Sequence, residues 1–200
     1  MESINVRLTG TTPLMIKSDR TVDPLDPFVA KIKAITAKGK NRTEADVHAL
    51  RRIEWESGFY CGHDGEPTPT KIPGWNIIRS LRDGATFTKQ GKDVLRAVVG
   101  PEYVTIDYKG PKTLDAMYES GLHCDVRRVV AKGGGGATMR ARPKFSAWSI
   151  DIVLDFDERM ISRTDVLSCF EAAGKFAGIG EYRPSSPKGG QFGRYTVSVL

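Results

Sequence analysis

The residues with the most chemistry to offer are cations. Arg127, Arg128, Lys132, Arg140, Arg142 and Lys144 fall between Asp125 and Asp151, where there is no acid, and four consecutive glycines, 133 to 136, sit in the middle of the block. Such a block draws phosphates by Coulomb attraction and counterion release, although a charge run can also be a solvated face. A second group lies in the long glycine-rich stretch from Gly178 to Val197. There Arg183, Lys188 and Arg194 supply donors, while Gly178, Gly180 and Gly193 free the backbone for positive φ or for the close approach of a ligand. Tyr182 and Phe192 in the same stretch could stack on bases or anchor the loop to the core. A third group is Pro73-Gly74 followed by a helix with Arg79 and Arg82 off its apolar face. Helix amino termini hold anions through free amides, so this turn is a phosphate candidate or only a helix cap. All three groups suit a phosphodiester backbone.

Acid–base and metal chemistry find less support. His48, His63 and His123 are the chain's histidines, and none pairs with an acid at recognisable catalytic spacing, so no catalytic residue is assigned. Cys61-Gly-His63 and His123-Cys124 offer four ligands of the type zinc takes, but their spacing matches no standard zinc pattern. They read as two unrelated pairs at element ends. No metal or cofactor is expected.

At 200 residues, with 40% hydrophobic and 27% charged residues, the chain reads as a single folded domain, and its net charge of +6 matters less than where the charges fall. No apolar run approaches the roughly 18 residues a membrane span needs, and the amino terminus lacks a basic region followed by an apolar one, so no membrane partner is expected. Cys61, Cys124 and Cys169 are odd in number and far apart, which argues against a disulfide framework and for a reducing cytoplasm.

The elements that must position these groups follow from periodicity. Ile4, Val6 and Leu8 alternate with polar residues, predicting a first strand that ends at Gly10. Helical patterns start at Phe28 and, behind a capping-box sequence, at Thr43; they define a helical insertion over about 19 to 70. Ile77, Ile78, Leu81 and Ala85 give the helix after Pro-Gly an inward face. Val94 to Val99 and Tyr103 to Tyr108, separated by Gly-Pro, read as a hairpin or two short strands, and Leu114 to Tyr118 as a short helix. The block from about 126 to 144 reads as a basic β-hairpin with the glycines at its tip. Phe145 to Phe156 alternates as a strand, Ser162 caps a helix with Asp165 three residues on, and Tyr195, Val197 and Val199 alternate in a last strand.

With the insertions set aside, the order is β-α-β-β-α-β, which predicts an α+β fold with a ferredoxin-like, RRM-like core. At this point the chain resembles the RAMP superfamily, the repeat-associated proteins of CRISPR effector complexes and their relatives. Three stretches carry the likeness: Leu8-Thr-Gly-Thr-Thr-Pro-Leu14, Ile72-Pro-Gly-Trp-Asn-Ile-Ile-Arg-Ser-Leu-Arg82, and the glycine loop from Gly178 to Gly193. Trp75, Asn76 and Arg79 stand where the family's helix motif carries serines and a lysine. The resemblance implies binding of single-stranded RNA, with single-stranded DNA an alternative, in a groove between sheet and glycine loop. It also implies self-association along the strand or other complex subunits, and a thumb-like role for the basic hairpin. The expected function is a non-catalytic subunit of a CRISPR-like or phage ribonucleoprotein. The alternatives are a metal-independent endoribonuclease that uses a histidine, and a phage protein-interaction or inhibitor module on the same fold.

Overall fold

A computed structural model describes residues 1–61, 67–130 and 137–200, so His63, Lys132 and the glycines 133 to 136 singled out above lie outside the described residues. In chain order the elements begin with β1 (Glu2–Gly10), β2 (Leu14–Met15), α1 (Pro27–Thr36), α2 (Glu44–Glu56) and β3 (Lys71–Pro73). There follow α3 (Trp75–Ala85), α4 (Gly91–Ala97), β4 (Val98–Val99), β5 (Tyr103–Asp107) and α5 (Leu114–Glu119). The last are β6 (Cys124–Val130), β7 (Ala137–Phe145), β8 (Ser149–Phe156), α6 (Arg163–Ala172), a π-turn over Ala173–Ala177, and β9 (Tyr195–Val199). The protein is α+β with antiparallel pairing. It divides into two compact units, one made of Met1–Met15, Thr70–Lys109 and Phe145–Leu200, the other of Ile16–Pro69 and Gly110–Lys144. No helix among the described residues is long and apolar enough to cross a membrane.

The first unit is built on a sheet of order β3-β5-β8-β1-β9, with β4 also pairing β8. Because successive side chains point to opposite faces, the register Ile4↔Leu154, Val6↔Ile152 and Leu8↔Ile150 puts six apolar side chains on one face. All six are buried, as are Ile77, Leu81 and Ala85 of α3 and Val166 and Phe170 of α6. At two points there is no space for a side chain. A Cβ at Gly84 would press on Ala173, and one at Gly174 on the carbonyl of Tyr195. The Tyr195 hydroxyl, buried by the same packing, meets Ser80 Oγ at 3.1 Å, which ties α3 to β9.

Two expectations are corrected here. Val94 to Ala97 is the end of a helix, and only Val98 and Val99 pair with β8. Val94 and Ala97 lie three residues apart and are both buried, so burial of one helical face outweighs the β-propensity of valine. The run from Phe145 to Phe156 is not one strand: Phe145 ends β7, and the chain bends before β8 begins at Ser149. Trp148 holds the bend, its Nε1 donating to Thr12 O at 2.9 Å while its carbonyl accepts from Gly10 N.

In the second unit, Asp26 caps α1 by accepting from Phe28 N, with Pro27 at the first helical position. Thr43 and Asp46 form a complete capping box on α2. Trp55 of α2 is fully buried, stands edge-on to Phe59 at 4.8 Å and donates Nε1 to His123 O at 2.8 Å. β6 and β7 pair in the register Asp125↔Arg142, Arg127↔Arg140 and Arg128↔Met139. Directly opposed residues share a face, so Arg127, Arg140 and Arg142 lie on one side of this ladder and Arg128 on the other.

Candidate nucleic-acid interface

In the first unit the glycine loop closes on itself and onto α3. Ile179 N donates to Gly193 O, Phe192 N to Tyr182 O, Gly193 N to Pro13 O and Glu181 N to Met15 O. Gly178, Gly180 and Gly193 have φ of 69°, 77° and 69°, which only glycine adopts without strain. The space beside two of them is already filled: a Cβ on Gly180 would overlap Met15 O, and one on Gly193 would overlap Ile179 O. At Gly180 and Gly193 the close approach is therefore made by the chain's own carbonyls. Tyr182, itself at φ 51°, and Phe192 are half-buried, and Lys188 is exposed.

The arginines of this loop and of α3 come together. Arg183 donates to Gly180 O at 3.0 Å and to Ser185 Oγ at 2.9 Å, and Ser185 Oγ donates to Asp83 Oδ2 at 3.1 Å. Asp83 also pairs with Arg79 at 3.0 Å and Arg82 at 3.7 Å. Two guanidinium groups thus pair with one carboxylate, and a third, that of Arg183, reaches it through the Ser185 hydroxyl. The amide at the Pro-Gly turn is spent elsewhere: Gly74 N donates to Glu102 O at 2.8 Å, and a Cβ there would overlap Pro101 O. Arg79 and Arg82 lie one and two turns past that end, so the turn and the arginines do not make a single anion site. Arg194 donates its guanidinium to Lys175 O.

The basic hairpin is less naked than its sequence. Arg127 chelates Asp125 with bonds of 2.5 and 2.8 Å, Lys144 lies 3.6 Å from the same carboxylate, and Arg140 pairs with Glu54 of α2. The hydrogen bond from Arg127, more than the opposing burial, holds the Asp125 carboxyl below its ordinary range. Glu54 is buried and accepts in addition from Ala141 N at 3.2 Å. Arg142 is buried in the ladder, and Arg128 is exposed on the opposite face. The acid-free run in sequence therefore has acids supplied by Asp125 at its edge and by a distant helix.

His123 is 4% exposed, with Nδ1 3.2 Å from Lys144 O, and burial lowers its pKa. Burial likewise pushes the Cys124 thiol up to about 11. His48 is exposed on α2, 3.8 Å from Glu44. No three His, Cys, Asp or Glu side chains among the described residues are grouped to hold a metal ion.

The open face of the sheet carries both acids and bases. Asp155 accepts from Ser3 Oγ, Asp151 holds Arg7 in a two-bonded pair at 2.6 Å, and Asp107 pairs in register with Ser149. Arg7 is paired with Asp151 and Lys71 lies on the same face, so its charge is close to balanced and a polyanion gains little there. Residues that sequence reasoning missed include Asp83 and Ser185, which draw the arginines together, and the exposed pair Phe87 and Phe176, whose rings lie 4.9 Å apart. The polar run Thr86-Phe-Thr-Lys89 is the available signal, since an aromatic in such a turn has no local reason to be there. No protein-family model matches the chain, and no curated protein matches it.

Proposed function

We propose that the protein binds single-stranded nucleic acid, RNA in the first instance, without cleaving it, as a RAMP-like subunit of a ribonucleoprotein assembly with neighbouring copies on one strand. The observation that carries this reading is the convergence of Arg79, Arg82 and Arg183 around Asp83 and Ser185. Two stretches selected separately for their cations meet there with an excess of positive charge. Arg side chains favour phosphate because their planar forks pair with its oxygens. The strand order supports a ferredoxin-like core: β9-β1-β8-β5 with α3 between β1 and β5 and α6 between β8 and β9 follows the split β-α-β pattern. The open face of the sheet, close to balanced in charge, offers a strand less than the loop edge does.

Fluorescence anisotropy with a labelled single-stranded RNA across a salt series tests the proposal. Replacing Arg79, Arg82 and Arg183 together by alanine is expected to weaken binding and to reduce the slope of log affinity against log salt by about 2, because each phosphate no longer neutralised takes about 0.7 from it. Wild-type protein that binds no RNA at low salt, or a triple variant with unchanged slope and unchanged melting temperature, rejects it.

A further inference from the structure

The second unit holds a cleft of about 420 Å³ between α1, α2 and the hairpin. Among the described residues, four cationic side chains line it, Lys17, Lys33, Arg140 and Arg142, against one acid, Glu54. That acid is already engaged: its two oxygens accept from Arg140 and from the Ala141 amide. Lys17 and Lys33 are exposed, Arg142 is 7% exposed, and Glu54 is 8% exposed, so positive charge runs from the surface into the interior. The rest of the wall is mixed: Val29, Ile32, Val129 and Ala141 give it an apolar side, and Thr21 and Ser57 add polar groups beside it. Its volume falls within the roughly 300–1,000 Å³ of pockets that take small ligands.

Cations at the mouth and inner wall with an apolar side wall suit a ligand that is anionic at one end and flat and apolar at the other. Apolar walls gain from burying such a face, and partly buried guanidinium groups bind phosphate oxygens far more strongly than solvated ones do. We infer that this cleft is a pocket for a nucleotide, a phosphate monoester joined to a nucleobase, whether free or as the phosphorylated end of a strand. The inference stands whether or not RNA binds at α3 and the glycine loop, because every lining residue belongs to the second unit.

Isothermal titration of the full chain with AMP, adenosine and inorganic phosphate is the test. AMP is expected to bind about tenfold more tightly than either fragment, since each carries only half of the complementary surface. The double variant Lys17→Ala/Lys33→Ala removes exposed charges and is expected to weaken AMP about tenfold. Val129→Phe fills the cleft from a half-buried position without changing charge and is expected to abolish binding. Thermal melts of both variants establish that they fold. Absence of AMP binding, equal affinity for AMP and phosphate, or undiminished binding in both folded variants overturns the inference. Displacement of AMP by a 5′-phosphorylated RNA but not by its 5′-hydroxyl twin supports it with a strand end as the source; no displacement by either supports it with a free nucleotide. Anisotropy with the 5′-hydroxyl RNA separates the two proposals: retained RNA binding with no AMP binding removes only this one.

Discussion

Gly193→Ala and Gly189→Ala form a matched pair that isolates what the glycine loop contributes to folding. Both residues have left-handed backbones, φ 69° and 64°, so each substitution carries the same penalty of about 1–2 kcal/mol for an L-residue there. At Gly189 a new Cβ meets nothing within 4 Å, and the penalty ends with the backbone. At Gly193 the Cβ would overlap the carbonyl of Ile179, a backbone group that cannot swing aside. Relief requires moving the segment that makes two 2.9 Å hydrogen bonds, Ile179 N to Gly193 O and Gly193 N to Pro13 O. At about 1 kcal/mol each, their loss puts Gly193→Ala about 2 kcal/mol below Gly189→Ala, or about 4–8 °C in melting temperature for a chain of this size. Thermal unfolding followed by circular dichroism reads the difference. Equal losses in the two variants would show that Gly193 is not wedged against Ile179 and that the loop is not held as described.

Other consequences are open to simpler measurements. Glu54→Ala removes the acceptor of the buried Ala141 amide, which costs about 1–3 kcal/mol, and releases Arg140, so stability should fall while affinity for AMP rises; loss of both would mean that the carboxylate shapes the cleft rather than neutralising it. His123 is depressed in the folded state, so the stability it contributes is present above its ordinary pKa near 6.5 and is lost as pH falls through its lower folded value. The wild type should lose more melting temperature than His123→Gln between pH 7 and 5; Asp125 and Asp151, whose values lie below 3.8, act only at lower pH, and parallel curves would refute the assignment. Ser162→Ala should cost about 1 kcal/mol, because its hydroxyl accepts from Asp165 N at the start of α6, and an unchanged melt would show the cap to be idle. Labelled RNA should survive incubation intact; cleavage abolished by changing His48 or His123 to alanine would reinstate the endoribonuclease.

What can be read in the sequence is whatever depends on near neighbours. The alternation of Ile4, Val6 and Leu8 fixes a strand face, and Thr43 and Ser162 cap their helices through residues three positions on. Charge balance is a different matter. Arg140 meets Glu54 across 86 positions and Ser185 meets Asp83 across 102, so no window on the chain shows that the basic block is partly neutralised or that two arginine groups share a carboxylate. Glycine misleads for the same reason: the sequence shows that Gly180 and Gly193 permit close approach but not that the approaching atoms are Met15 O and Ile179 O. Val94 reads as strand because valine's local preference is visible in the sequence, whereas the buried helical face that overrides it is defined only by the packed unit.

The pairing of β1 also sets an order of events during synthesis. Both of its neighbours, β8 and β9, come from the last part of the chain, with Arg7 reaching Asp151 across 144 positions. A growing chain must therefore carry β1, apolar on one face, unpaired until β8 and β9 leave the ribosome, whereas the residues of the second unit are all made once Lys144 is added. Contacts this distant are slow to form, and an unpaired strand edge is open to pairing with another molecule in the meantime. Early termination before β8 would leave that strand permanently without a partner on either side.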